Sequence, residues 1–238
     1  MTIKAIFFDF YNTLSRFDPP REDLQLNICR SFGINITKPQ ILNGYKLADS
    51  FMAREIGINP LRNRTKQEVI QFFSEYQRLV IQGSGIDISM EQGESMFRAL
   101  RKLPYDFKLF EDAIPTLQIL SSKGLRLGIL SNNDDDMNSI CGKLGLNKYL
   151  DFIITSGDVG SGKPKPEIFN KALEIVNAKP CESIHVGDQY ESDIKGALGV
   201  GIRPVLIDRD DMYPEGTYNE SERIESLLQL QDIIDSIY

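Results

Sequence analysis

Tryptophan is absent from the 238 residues, histidine occurs once, cysteine three times, and basic residues are outnumbered. Most of these shortages close a class of function. With 27 lysines and arginines against 34 aspartates and glutamates, the formal charge is −7 and the isoelectric point near 4.9. The chain therefore has no overall positive field for nucleic acid or an anionic membrane. Cys29, Cys141 and Cys181 are odd in number, far apart and in no metal-ligand spacing, and read as reduced thiols of a cytoplasmic protein. The single histidine, His185, sits inside a strand-like run and reads as structural rather than catalytic. No apolar run has membrane-spanning length. The N-terminus enters a short apolar stretch ending at Asp9, without the basic start, longer apolar core and small-residue cleavage site of a signal peptide.

Apolar residues make up 41% and charged residues 26%. That supports one large domain with an insertion, or a core domain with a smaller companion. Short apolar runs ending in polar or glycine residues recur at IKAIFF (3–8), LRLGIL (125–130), DFIIT (151–155), SIHV (183–186) and RPVLI (203–207). They have the texture of buried parallel strands. Helical patterns alternate with them: EDAIPTLQILSSKG sets Ala113, Leu117 and Leu120 on one face, and KPEIFNKALEIVN sets Phe169, Leu173 and Val176 on another. The alternation predicts an α/β fold with a Rossmann-like, doubly wound parallel sheet.

Residues 17–104 break this rhythm with helical periodicity and almost no strand-like run. Candidate helices are 22–32, 39–56, 65–82 and 88–102, with turns at Gly57, Pro60 and QGSGID. The simplest organisation is a core of residues 1–16 and 105–238 with a helical domain, 17–104, inserted between the first two strands of the sheet. The last stretch, ERIESLLQLQDIIDSI, places Ile224, Leu227, Leu228, Ile234 and Ile237 near one face and predicts a closing helix.

Ligands of open α/β sheets bind beyond the carboxyl ends of the strands. Four such ends carry polar residues: Asp9; Ser131, Asn132 and Asn133; Lys163 within GSGKPKP; and Asp188 within HVGDQYESD, with Asp193 five residues on. Taken singly, each has a plainer explanation. An Asp after an apolar run is usually a turn residue, Ser131 and Asn132 read as a helix cap, Lys163 as a solvated loop lysine, and Asp188 and Asp193 as caps of a helix through DIKGAL. Together at one sheet edge they predict a site. GDVGSGKP (157–164) fits a nucleotide-binding P-loop until Pro164 replaces the required Ser or Thr. Proline removes both that hydroxyl and a backbone N–H, which argues against an NTPase.

In order and spacing, FFDFYNTL, LSNN, GKPKPEIF and VGDQYESD resemble the four motifs of the haloacid dehalogenase (HAD) superfamily. The inserted helices resemble its C1-type helical cap, and the likeness covers nearly the whole chain. It implies that Asp9 is a nucleophile and that Ser131, Asn132, Thr13 and Lys163 hold the transferred group. It also implies a Mg²⁺ held by Asp9, the backbone carbonyl of Tyr11 and Asp188, with Asp193 reaching it through water or orienting the site. The chemistry is coherent. A carboxylate attacking phosphorus splits one hard displacement into two easier ones, and a lysine, a hydroxyl and Mg²⁺ suffice to neutralise and orient the oxygens.

Tyr11 departs from the phosphatase pattern, whose second Asp at this position moves the protons; a phenol with pKa near 10 is a poor base. Tyrosine there resembles the metal-free 2-haloacid dehalogenases, in which Asn12 would be glycine. Against that, VGDQYESD has the acid pair of phosphatases rather than the dehalogenases' Ser-Ser-Asn run, and the missing tryptophan removes a residue often found around their halide. The expectation is a Mg²⁺-dependent hydrolase of a small phosphorylated substrate, with dehalogenase as the alternative and a low-turnover phosphate-ester or partner-binding protein as a third. No nucleic acid or membrane partner is expected, and the chain is either a monomer or a homodimer. In the insertion Arg62, Arg64 and Lys66 read as a solvated loop that could instead reach an anionic group, and Arg16 could face the cleft.

Overall fold

All four residues of strand β1, Ala5–Phe8, are buried: Ala5 and Phe7 join one hydrophobic cluster, Ile6 and Phe8 another. A strand buried on both faces needs helices on both sides of its sheet, the requirement of parallel α/β structure. The computed structural model describes residues 2–133, 135–213, 216 and 219–237. Its other strands are β2 (Ser15–Asp18), β3 (Asp106–Leu109), β4 (Arg126–Ser131), β5 (Phe152–Thr155), β6 (Ser183–Gly187), β7 (Arg203–Ile207) and β8 (Glu222–Ile224). Six of them form a parallel sheet in the order β5-β4-β1-β6-β7-β8, and β2 pairs with β3 in a separate ribbon. The expected doubly wound α/β sheet is thus observed. After β1 the sheet grows outward through β4 and β5, then restarts on β1's other side with β6, so the direction of winding switches at β1.

By chain contacts the protein divides into two compact units, Met1–Arg16 with Phe107–Tyr238, and Phe17–Asp106. The second is helical, with α1 (Arg21–Ser31), α2 (Lys38–Ile58), α3 (Lys66–Gln82) and α4 (Met90–Leu100). Ile28, Ile41, Tyr45, Tyr76, Val80, Ile81 and Met96 form its core. Helices α2 and α3 touch backbone to backbone: a Cβ on Gly44 would overlap the Val80 carbonyl, and one on Gly83 the Gly44 backbone. Two expectations fail here. Gly57 is no turn, because α2 runs through it to Ile58. Arg64 is not solvated: its guanidinium donates to Glu55 O and Asn59 O at 3.0 Å and lies 4.7 Å from the Phe72 ring, closing the turn it belongs to.

The sheet unit carries α5 (Ala113–Ser122), α6 (Met137–Lys143), α7 (Ser156–Val159), α8 (Pro166–Val176), α9 (Lys195–Gly199) and α10 (Leu230–Ile237). Ala113, Leu117 and Leu120, and Phe169, Leu173 and Val176, are buried on the faces that the periodicity predicts. The closing stretch differs from expectation. It starts as β8, passes a 3₁₀ turn at Leu227–Gln229 and becomes helical only at Leu230. Leu228 is half exposed, because the turn's tighter winding takes it off the helical face. Cys29 and Cys141 are buried thiols, Cys181 an exposed one. Among the described residues no helix is long and apolar enough to cross a membrane.

One ionic knot ties four segments of this unit. Arg209, just beyond β7, pairs through both terminal nitrogens with Asp112 at 2.9 Å and donates to Thr13 O at 2.8 Å. Asp112 also accepts from Ser226 Oγ and Leu227 N. Burial pushes the Asp112 carboxyl up, but these hydrogen bonds outweigh it and hold its pKa below the usual value. A depressed folded-state pKa stabilises the fold above the unfolded value, near 4, and that contribution disappears as pH falls through the folded value. Asp112→Asn is expected to cost about 2 kcal/mol at pH 7 in urea unfolding, with the deficit narrowing below about pH 4. In the helical unit, Gly44→Ala is expected to cost about 2–3 kcal/mol, measured the same way, because backbone gives way less easily than a side chain.

Candidate active site

Asp9 leaves β1 at the switch point, its N–H continuing the ladder to Val186 O at 2.8 Å. The chain then folds back within six residues. Leu14 N and Ser15 N both donate to Phe10 O, and Asn12 N donates to Ser15 O at 2.6 Å. Phe10 and Leu14 anchor the loop in the core. Asn12 takes the turn's left-handed position, φ 61°, which asparagine tolerates better than other side chains. Its Nδ2 reaches across to Asp188 Oδ2 at 3.1 Å, joining the first and fourth motifs. Tyr11 is half-buried and packs against the larger core cluster. Thr13 is fully buried; its hydroxyl has no hydrogen-bond partner among the described residues, while its carbonyl is held by Arg209.

Lys163 comes from the loop between α7 and α8, two residues before α8's cap, so it does not sit in the first helical turn that a P-loop requires. Asn132 fixes that loop: its Nδ2 donates to Lys163 O at 2.8 Å and its Oδ1 accepts from Lys163 N at 2.7 Å. The carboxamide that the resemblance assigns to the transferred group is thus engaged at both ends by main chain. Ser131 is buried at the end of β4, where its Oγ accepts from Asn133 N at 3.1 Å.

The Lys163 side chain is 2% exposed, and its Nζ lies 2.6 Å from both Asp9 Oδ1 and Asp193 Oδ1. Asp193 is turned back toward the strand end by a π-helical turn, Tyr190–Ile194, a widening found often at functional sites. Its Oδ2 accepts from Gln189 N at 3.1 Å, and its Oδ1 lies 3.0 Å from His185 Nε2. Gly187 makes room for it, since a Cβ there would overlap the Asp193 carboxyl group.

These contacts set the charge states. Burial raises the Asp9 carboxyl, with Asp193 adding repulsion and Lys163 opposing it, to a pKa of about 6. Burial would raise Asp193 too, but Lys163 and His185 prevail and hold it at about 2. Burial alone would lower the Lys163 ammonium, and the two carboxylates reverse that, keeping it charged. Burial lowers His185, only partly offset by Asp193, so the imidazole is neutral near pH 7.

Asp9, Asp188 and Asp193 each offer a carboxylate oxygen within 4.8 Å of one another. Hard oxygen donors at this density suit Mg²⁺ better than a thiophilic metal. The structure therefore brings Asp9, Lys163, Asp188 and Asp193 together, and attaches Asn132 to them through the Lys163 backbone. Two contributors were not assigned to the site from sequence. Asn12 shows itself only as a departure from glycine, and His185 reads as a strand residue because burial in β6 hides what its ring meets.

The chain belongs to the haloacid dehalogenase-like hydrolases, whose family model matches residues 3–201. Human haloacid dehalogenase-like hydrolase domain-containing protein 3 is 38% identical over 104 residues, which span 44% of this chain and only 41% of that protein. Glyceraldehyde 3-phosphate phosphatase of Methanothermobacter thermautotrophicus is 29% identical over 242 residues, covering 98% of this chain and all of that one, 100%. Among solved structures, the HAD-hydrolase YfnB of Bacillus subtilis, described as bound to magnesium, aligns over 99% of this chain and 100% of its own with a TM-score of 0.67. At 20% identity that likeness is one of fold.

Gly187→Ala is expected to force Asp193 off Lys163 at a cost of about 2–3 kcal/mol. Urea unfolding measures the loss, and a crystal structure of the variant checks that Asp193 is what moves.

Proposed function

We propose that the protein is a Mg²⁺-dependent phosphohydrolase of a small phosphorylated metabolite, with Asp9 as nucleophile. The observation that carries this is the cluster of three carboxylates, two of them on one buried ammonium. With His185 neutral, the cluster has two negative charges in excess once Asp9 is ionised. Such a field repels any anionic substrate unless a cation balances it. Asp9, Asp188 and the Tyr11 carbonyl are the ligands we assign to the ion, with Asp193, already engaged by Lys163, orienting the site. Mg²⁺ bound there would neutralise the excess charge and orient phosphate oxygens.

The protein's own groups do the rest. Lys163 holds one Asp9 oxygen and so fixes the direction of the nucleophile. In the first step an Asp9 oxygen forms a bond to phosphorus as the ester oxygen leaves, giving an aspartyl-phosphate. In the second, water cleaves that acyl phosphate and regenerates Asp9. Ser131, Thr13 and the Lys163 ammonium are assigned to the phosphate oxygens; Asn132 serves by fixing the Lys163 loop. Tyr11 stands where a proton-moving carboxyl is usual in this family, so good leaving groups react best and the phosphoenzyme hydrolyses slowly. The helical insertion takes the role of the family's C1-type cap and, with it, substrate choice. The full-length relative named for glyceraldehyde 3-phosphate supports a phosphate substrate and makes that compound the first metabolite to assay.

Dehalogenation by Asp9 without metal is the second reading, favoured by Tyr11 alone. It must admit an anionic 2-haloacid to the same negative cluster. A slowly turning-over binding protein is the third.

Pre-steady-state turnover of p-nitrophenyl phosphate separates them. The expected result is a burst that needs Mg²⁺, is abolished by EDTA and by Asp9→Asn, and gives way to faster steady turnover in Tyr11→Asp, by about tenfold or more. No metal-dependent release in either Asp9-containing protein would sink the phosphatase reading. Chloride release from 2-chloropropionate would then identify a dehalogenase, and its absence a binding role.

A further inference from the structure

His185 occupies a position where an apolar residue would be cheaper. Along β6, Ile184 and Val186 enter one core cluster, while the His185 ring turns to the other face, wholly buried, edge-on to Phe169 with centroids 5.1 Å apart. In register it lies beside Phe7 of β1. A buried polar ring among phenylalanines costs free energy unless its hydrogen bond has a use. That bond goes to Asp193 Oδ1, the same oxygen that receives the Lys163 ammonium. A carboxylate only accepts, so the hydrogen must be on Nε2. The four side chains form one chain of contacts, His185 to Asp193 at 3.0 Å, Asp193 to Lys163 at 2.6 Å and Lys163 to Asp9 at 2.6 Å.

We infer that His185 is a positioning residue: its Nε2–H fixes the Asp193 carboxylate, which aims the Lys163 ammonium at Asp9. The inference rests on the reading of Asp9 as nucleophile. Among the described residues Asp193 accepts from three donors, Lys163, His185 and Gln189 N. Without the imidazole, Asp193 keeps the ammonium and the backbone N–H but can rotate about its own side-chain bonds, and Lys163 follows it. A small misplacement beside a nucleophile lowers rate far more than binding, so the loss falls on the rate of Asp9 attack, read as the burst rate constant, rather than on substrate affinity.

The test compares His185→Leu, which fills the space without a donor, with His185→Gln, whose amide nitrogen has nearly the reach of Nε2. The expected result, with p-nitrophenyl phosphate and Mg²⁺, is a burst rate constant about ten- to a hundredfold lower in His185→Leu with its half-saturating substrate concentration within about threefold, and a burst largely kept in His185→Gln. A wild-type burst rate constant in a folded His185→Leu would overturn the inference. So would equal losses in the two variants, which a merely space-filling role predicts.

Two spectroscopic readings need no turnover. Because the chain has one histidine, its ¹⁵N–¹H imidazole spectrum needs no assignment. A proton on Nε2 is expected, and an imidazole protonated only at Nδ1 overturns the inference even if His185→Leu fails to fold. The ammonium signal of Lys163 should shift in His185→Leu and hold its place in His185→Gln; an unmoved signal in His185→Leu counts against positioning. Absence of phosphatase turnover with both spectroscopic results intact removes the proposed reaction while leaving the His185–Asp193–Lys163 linkage standing.

Discussion

A buried ammonium shared by two carboxylates is the constraint around which the sheet unit is organised. Lys163 can stay charged at 2% exposure only because Asp9 and Asp193 both reach it at 2.6 Å. Each partner comes from a different strand end, and each needs its own local device. Asp9 continues the β1 ladder, Asp193 is carried back by a π-helical turn over a glycine, and Lys163 hangs from a loop clipped by Asn132. Remove the ion cluster and these devices have no evident purpose. Two charges of one sign and one of the other are brought together by covalent geometry before any substrate arrives, which is the sense in which a site is preorganised.

The sheet makes this possible because β1 is central and buried on both faces. The winding reverses there, so the carboxyl ends of β4 and β6 lie on either side of Asp9 with no crossover connection above them. Arg209 extends the support outward, tying Thr13 in the loop after Asp9 to Asp112 at the start of α5. A rigid frame of this kind can hold like charges close together. A looser one would relieve their repulsion by moving them apart.

Much of the fold was legible because buried parallel strands and amphipathic helices write their periods directly into the sequence. The five apolar runs appear as β1 and β4 to β7, and the faces of α5 and α8 are those that the spacing sets out. What escaped were elements fixed by tertiary contact. β8 is three residues long and polar at two of them, so its strand identity comes from pairing with β7 and not from its own pattern. Arg64 looked solvated because a charged run of sequence does not reveal which guanidinium will lie on a phenylalanine ring and take two carbonyls. In the site, the residues with charge were visible at strand ends. The ones that aim them, Asn12 and His185, carry no formal charge in this structure, and only the geometry exposes their contacts.

Asn12 also limits how this sequence can change. Its left-handed backbone admits glycine freely and asparagine nearly as well, while most other side chains strain it. Of the two easy choices, only asparagine spans to Asp188. A drift to glycine would keep the turn and silently cut a side-chain hydrogen bond joining the first and fourth motifs here, whereas drift to nearly anything else would disturb the turn itself. Positions 12 and 188 are therefore coupled in one direction: the acid can persist without the amide, but the amide has a partner only while the acid remains, so in descendants of this chain the asparagine should be the first of the pair to go.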